Sequence, residues 1–93
     1  MASAEGQARV EHELVGERAG TLSRLVERLE LALAELQEAG ADREERLARA
    51  AELLWYVVVQ REAVGISRHD VLYEVLRVPR EVRLAMGPRR RGG

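Results

Sequence analysis

The residues best suited to chemistry in this chain are His12 and His69, each beside a carboxylate, Glu13 and Asp70 respectively. Such pairs suit metal ligation or proton transfer. The two histidines fall on different expected helices, with no Cys and no second His at helical spacing, so no ligand set converges. A surface or capping role is the simpler reading, and a metal site shared between subunits is the alternative. Arg61 and Glu62 follow an apolar run, Leu53-Leu54-Trp55-Tyr56-Val57-Val58-Val59. They are either exposed helix-end charges or an ion pair in a subunit interface, where such a pair sets register more than it adds stability. Trp55, Tyr56 and Tyr73 could line a ligand pocket, although aromatics among valines are more often core or subunit contacts. Arg80, Arg83, Arg89, Arg90 and Arg91 are candidate phosphate contacts near the C-terminus. No nucleophile elbow, glycine-rich phosphate loop or acid/base pair is brought together by spacing, so neither catalysis nor a cofactor is expected.

Composition narrows the field further. All fifteen basic residues among the 93 are Arg; Lys, Asn, Phe and Cys are absent, and Ile66 is the single isoleucine. This bias against AT-rich codons points to a GC-rich bacterial genome. Without Cys there are no disulfides, zinc-thiolate sites or thiol nucleophiles, and without Lys no Schiff-base chemistry and no P-loop. No apolar stretch reaches the roughly 18 to 20 residues that a bilayer span needs, and no basic segment leads into an apolar one at the N-terminus. The cytoplasm is the expected compartment. Net charge is −1 overall. It is uneven: residues 1–39 carry four Arg and eight Glu, residues 66–93 seven Arg and three acids. The basic end fits either nucleic acid or, more simply, the acidic helix of a neighbouring subunit.

The elements that position these residues are helical. Val15, Leu22, Leu25, Val26, Leu29, Leu33 and Leu36, with Ala19 and Ala32, recur in steps of three and four. The spacing predicts a helix from near Ala8 to Ala39, about 48 Å long. Its mixed seven- and eleven-residue repeats suit a nearly straight bundle helix. Gly16 and Gly20, one turn apart, mark either a locally weak stretch or the close approach of a partner helix. Gly40 is expected to end this helix, and Asp42 with Glu45 to open the next as a capping box. So short a turn makes an antiparallel hairpin. The second helix should run from Arg43 to about Val64, with Leu47, Ala50, Ala51, Leu54 and Val58 inward. Gly65 closes it, Ser67 opens a third helix, and Pro79 starts a fourth that ends at Met86. Residues 1–7 and 88–93 have little to pack and are expected to be flexible, leaving one domain over 8–87.

Seven consecutive apolar positions leave a helix no polar side. The run from Leu53 to Val59 therefore calls for burial nearly all round, and in so small a chain self-association is the simplest source of cover. The expectation is an all-α protein with a long antiparallel hairpin and two short C-terminal helices capping one open end. Two copies would pair as a four-helix bundle, as a homodimer or higher homo-oligomer, with Leu53, Leu54, Trp55, Tyr56, Val57, Val58 and Val59 at the interface. The helix-turn-helix alternative over Ser67 to Met86 fits poorly. With Val71, Val75 and Val82 at its apolar positions, Leu72 falls where a small residue is needed and Leu76 where the turn takes Gly.

The stretch Val59-Gln60-Arg61-Glu62-Ala63-Val64-Gly65, followed by Val78-Pro79-Arg80-Glu81-Val82, resembles a bacterial family of short, uncharacterised helical proteins. The resemblance covers mainly residues 53–87. It implies a helical fold and no assigned activity, so it transfers no site residue. The function expected on all these grounds is structural or protein-interacting, with a nucleic-acid-binding accessory role through the Arg-rich C-terminal region as the alternative.

Overall fold

A computed structural model describes the backbone of residues 2–38 and 40–87 and the side chains of residues 20–38 and 40–87. The described residues form four α-helices and no strand: α1 (Ala2–Gln37), α2 (Arg43–Ala63), α3 (Asp70–Val75) and α4 (Arg80–Ala85). Helix α1 begins earlier than its apolar stripe predicts. The added residues 2–7 contain no proline, the single Gly6 costs only about 1 kcal/mol against Ala, and a helix does not need an apolar residue in every turn. At 1.5 Å per residue α1 is about 54 Å long and α2 about 31 Å. The antiparallel hairpin therefore uses only the C-terminal half of α1, and the long axis of the molecule measures 61 Å.

The hairpin packs the expected faces. Leu29, Ala32, Leu33 and Leu36 of α1 are buried with Ala50, Ala51, Leu54, Val57 and Val58 of α2. Alanines at the contact let the helix axes approach, and each fully buried Leu or Val contributes about 1.5–3 kcal/mol. Leu47, expected inward, is only partly buried at the turn end.

The turn is built differently from the capping box. Asp42 has φ 66° and makes no side-chain capping bond. A side-chain cap needs an extended backbone at that residue, and the left-handed conformation removes it. The carboxylate is bypassed, and the Asp42 carbonyl accepts the first helical bond from the Arg46 amide at 3.0 Å. Arg46 itself closes the end of α1. Its Nη1 donates to the carbonyls of Glu35 (2.9 Å) and Glu38 (3.1 Å), and its Nη2 to those of Gly40 (3.1 Å) and Ala41 (2.7 Å). Helix α1 has no basic residue in its own last turn. The guanidinium supplies both the missing donors and a positive charge at the negative end of the helix dipole.

The two short helices do not cap an end of the hairpin; they fold back along it as a broken third layer. His69, just before α3, contacts Arg61 and Glu62 near the end of α2, while Glu81 of α4 pairs with Arg43 at its start. Leu72, Val78 and Val82 are buried in the core. Two left-handed residues make this return path possible. Gly65 (φ 90°) ends α2 with Ile66 N–H on the Arg61 carbonyl and Gly65 N–H on that of Glu62. This is the paired bonding of a Schellman motif. Arg77 (φ 52°) repeats it after α3, with Val78 N–H on the Tyr73 carbonyl and Arg77 N–H on that of Glu74. Helix α3 starts at Asp70 rather than at Ser67, with His69 in the cap position. Pro79 stays extended (ψ 148°) as the cap of α4, so the helix starts one residue later than expected. Its carbonyl receives the amides of Val82 and Arg83.

Candidate functional site

The apolar run on α2 divides between two sides. Leu54 and Val57 are wholly inaccessible and Val58 is 8% exposed, covered by α1 and the third layer. One chain therefore buries three of the seven positions for which the sequence suggested an intersubunit role. Trp55 is partly buried, its ring 5.3 Å from that of Tyr56 at a tilt of 58°. Leu53, Tyr56 and Val59 face away from the third layer. They line an open groove of about 570 Å³ between α1 and α2, with Leu25, Leu31 and Ala32 opposite. Leu31 is 65% exposed, Tyr56 42% and Val59 40%. Leu31, Tyr56 and Val59 thus leave apolar surface open along this groove, on both α1 and α2.

Charge around the groove is balanced. Arg28 and Glu35 stand on the α1 side, Arg49 and Glu52 on the α2 side, with Gln60 at one end. Among the described residues no cluster of three His, Cys, Asp or Glu is placed to hold a metal.

Arg61 and Glu62 come together through His69. Arg61 Nε donates to His69 Nδ1 at 3.2 Å, and its Nη2 donates to the Arg68 carbonyl at 2.8 Å. Glu62 Oε1 lies 3.3 Å from His69 Nε2. A ring that accepts at Nδ1 donates at Nε2, so this arrangement selects one tautomer. The three side chains join the end of α2 to the start of α3 within one chain, a role that sequence spacing alone does not separate from an intersubunit pair. The other end of the third layer is held by Arg43 and Glu81. Both guanidinium Nη atoms donate to the two carboxylate oxygens, Nη1 to Oε2 at 3.2 Å. The hydrogen bond from Arg43 holds the Glu81 carboxyl below its ordinary pKa, and the same bond raises that of Arg43.

Of the candidate phosphate contacts, two lie on one short helix. Arg80 and Arg83 are exposed on α4, and the Arg83 guanidinium lies 5.5 Å from the centroid of the Tyr73 ring. This cation–π geometry ties Arg83 to Tyr73 within the third layer. Arg89, Arg90 and Arg91 lie outside the described residues, as does the side chain of His12.

Fold and site together define a small all-α protein: a helical hairpin with a folded-back third layer and an open groove between its two long helices. The chain belongs to a family of unknown function (DUF6665), whose model matches residues 1–92. No curated protein and no solved structure matches the chain. No helix among the described residues is long and apolar enough to cross a membrane.

Proposed function

We propose that this chain is a non-enzymatic cytoplasmic protein that self-associates through the open face of its hairpin and serves as a structural or protein-interaction module. The observation that carries this reading is the groove itself. Leu31, Leu53, Tyr56 and Val59 form one apolar strip on the side that the third layer leaves uncovered. The rim supports a like partner, because two Arg and two Glu make a self-complementary set that a second copy can match. The alternative surface, for nucleic acid, has less behind it. Residues 66–93 carry seven Arg against three acids, but the chain as a whole has a net charge of −1, and Arg83 sits over Tyr73. Polyanion binders ordinarily present a larger cationic surplus.

Solution mass by light scattering, from micromolar to hundreds of micromolar chain, tests the proposal. The expected result is a dimer or larger oligomer that Val59→Glu converts to a folded, helical monomer. Val57→Glu is expected instead to unfold the chain, since that side chain is wholly inside it. A parent chain that stays monomeric throughout would overturn the proposal.

A further inference from the structure

The charges on the groove rim constrain how a second copy can lie on it. Arg28 and Glu35 stand on α1, Arg49 and Glu52 on α2. Among the described residues none of these four side chains forms an ion pair within its own chain. Heights along the hairpin follow from its turn: because α1 ends at Gln37 and α2 starts at Arg43, residues equally far from those ends are level. Arg28 and Glu52 are each nine residues from the turn end of their helix, so they stand level on opposite sides of the groove. Glu35 and Arg49 are two and six residues from it, a difference in height of about 6 Å that two long side chains can span. Leu25, Tyr56 and Val59 lie twelve, thirteen and sixteen residues away and form the far end with Gln60. That end carries no charge, while the middle and the turn end carry two opposed pairs.

We infer that a second copy lies on this groove with the two-fold axis running along the helices, so that each α1 packs on the partner's α2 and the four long helices form one bundle. This inference rests on the self-association reading above and adds its geometry. An axis along the groove keeps every residue level with its own counterpart. Arg28 then meets the partner's Glu52, and Glu35 the partner's Arg49, each contact occurring twice by symmetry. At the far end Leu25 lies over the partner's Tyr56, and the uncharged ends of the two grooves stay together.

An axis running across the helices fails on the same residues. Set at the middle of the groove, it lays α1 on the partner's α1 and α2 on the partner's α2. Arg28 then falls on the partner's Arg28 and Glu52 on the partner's Glu52, and like charges in contact oppose association. Moved toward the turn until Arg28 reaches the partner's Glu35, the axis carries Tyr56 and Val59 onto and past the partner's turn, where they stay uncovered. The axis along the groove matches charge with opposite charge and apolar with apolar at once. Size permits it: α2 is about 31 Å long and two helices side by side are about 20 Å wide, a flat footprint of roughly 600 Å² per copy. Two such footprints reach the total of about 1,200 Å² at which stable interfaces begin.

Because the chain contains no Cys, single cysteines can read this geometry. Full-length Ala41→Cys, at the turn, and Gln60→Cys, at the far end of the groove, are each treated with a short bis-maleimide, and light scattering of the untreated chains establishes the oligomer. Both are expected to give covalent dimers, since an axis along the groove holds like residues within about 15 Å of each other at either end. With the axis across the helices, like residues stand at least about 20 Å apart at both sites. Neither chain then links to itself, and the two chains mixed link to each other. That pattern overturns this inference while leaving self-association intact. In a second arm Arg28→Glu is expected to raise the Kd of association roughly tenfold, as two repulsions replace two rim pairs, and adding Glu52→Arg to the same chain is expected to restore it. Failure of the second change to restore the affinity also overturns the inference. An oligomer that none of these links captures, or a monomeric parent, overturns both readings.

Discussion

Replacing Arg46 by Met should expose how the end of α1 is held. Met keeps the aliphatic stem and removes the guanidinium, which donates to four carbonyls at distances of 2.7–3.1 Å. A hydrogen bond from a charged donor is worth about 1.5–3 kcal/mol singly, but four bonds from one group share its charge and ordering cost. The carbonyls also lie in an exposed turn, where water replaces part of what is lost. One further contribution works the other way: Arg46 Nε is buried without a hydrogen-bond partner, a cost that Met removes. The expected net loss is about 1.5–3 kcal/mol, or a fall of roughly 6–24 °C in Tm for a domain of this size. Thermal and urea unfolding followed by far-ultraviolet circular dichroism would measure it, at one fixed chain concentration so that association does not shift the midpoint. Arg46→Lys should recover less than half of the loss, because a single ammonium cannot span carbonyls on both sides of the turn. A Met variant within about 0.5 kcal/mol of the parent would refute the idea that this guanidinium closes the helix end.

Three further outcomes are expected. Asp42→Gly should leave stability unchanged or raise it by up to about 1 kcal/mol, because φ 66° favours glycine; a loss of about 1 kcal/mol would restore the side-chain cap that the sequence suggested. Arg77→Gly should stabilise by a similar amount for the same reason at φ 52°, read from the urea midpoint. Glu81→Gln should lower Tm near neutral pH and make no difference in strong acid. The folded-state pKa of Glu81 is depressed, so its contribution is fully present above the unfolded carboxyl value and is lost as pH falls through the folded one. A gap between parent and variant that persists unchanged at the lowest pH would contradict the pairing with Arg43.

The hairpin could be read from the chain because its signals are local. Leu29, Leu33 and Leu36, and Ala50, Ala51 and Leu54, repeat at the helical period, and Gly40 and Gly65 punctuate them. The same kind of signal failed where a residue's usual partner was replaced by a distant or unusual one. Arg77 ends α3 in a conformation that composition assigns to glycine, so nothing in the sequence announced the sharp return that lays α4 against α2. Nothing in the sequence singles out Arg46, since its acceptors are backbone carbonyls that carry no side-chain signature. The pairing of Arg43 with Glu81 joins residues 38 apart, and no periodicity links them.

The apolar run from Leu53 to Val59 marks the boundary most clearly. Sequence alone determined that the run forms an unusually apolar helix and that something must cover it, because hydrophobicity and the 100° step are properties of the chain. Which residues are covered was decided by tertiary structure. The third layer folds onto one side and buries Leu54, Val57 and Val58, leaving Leu53, Tyr56 and Val59 along the groove. That choice depends on where α3 and α4 dock, and docking is set by contacts between residues far apart in the chain.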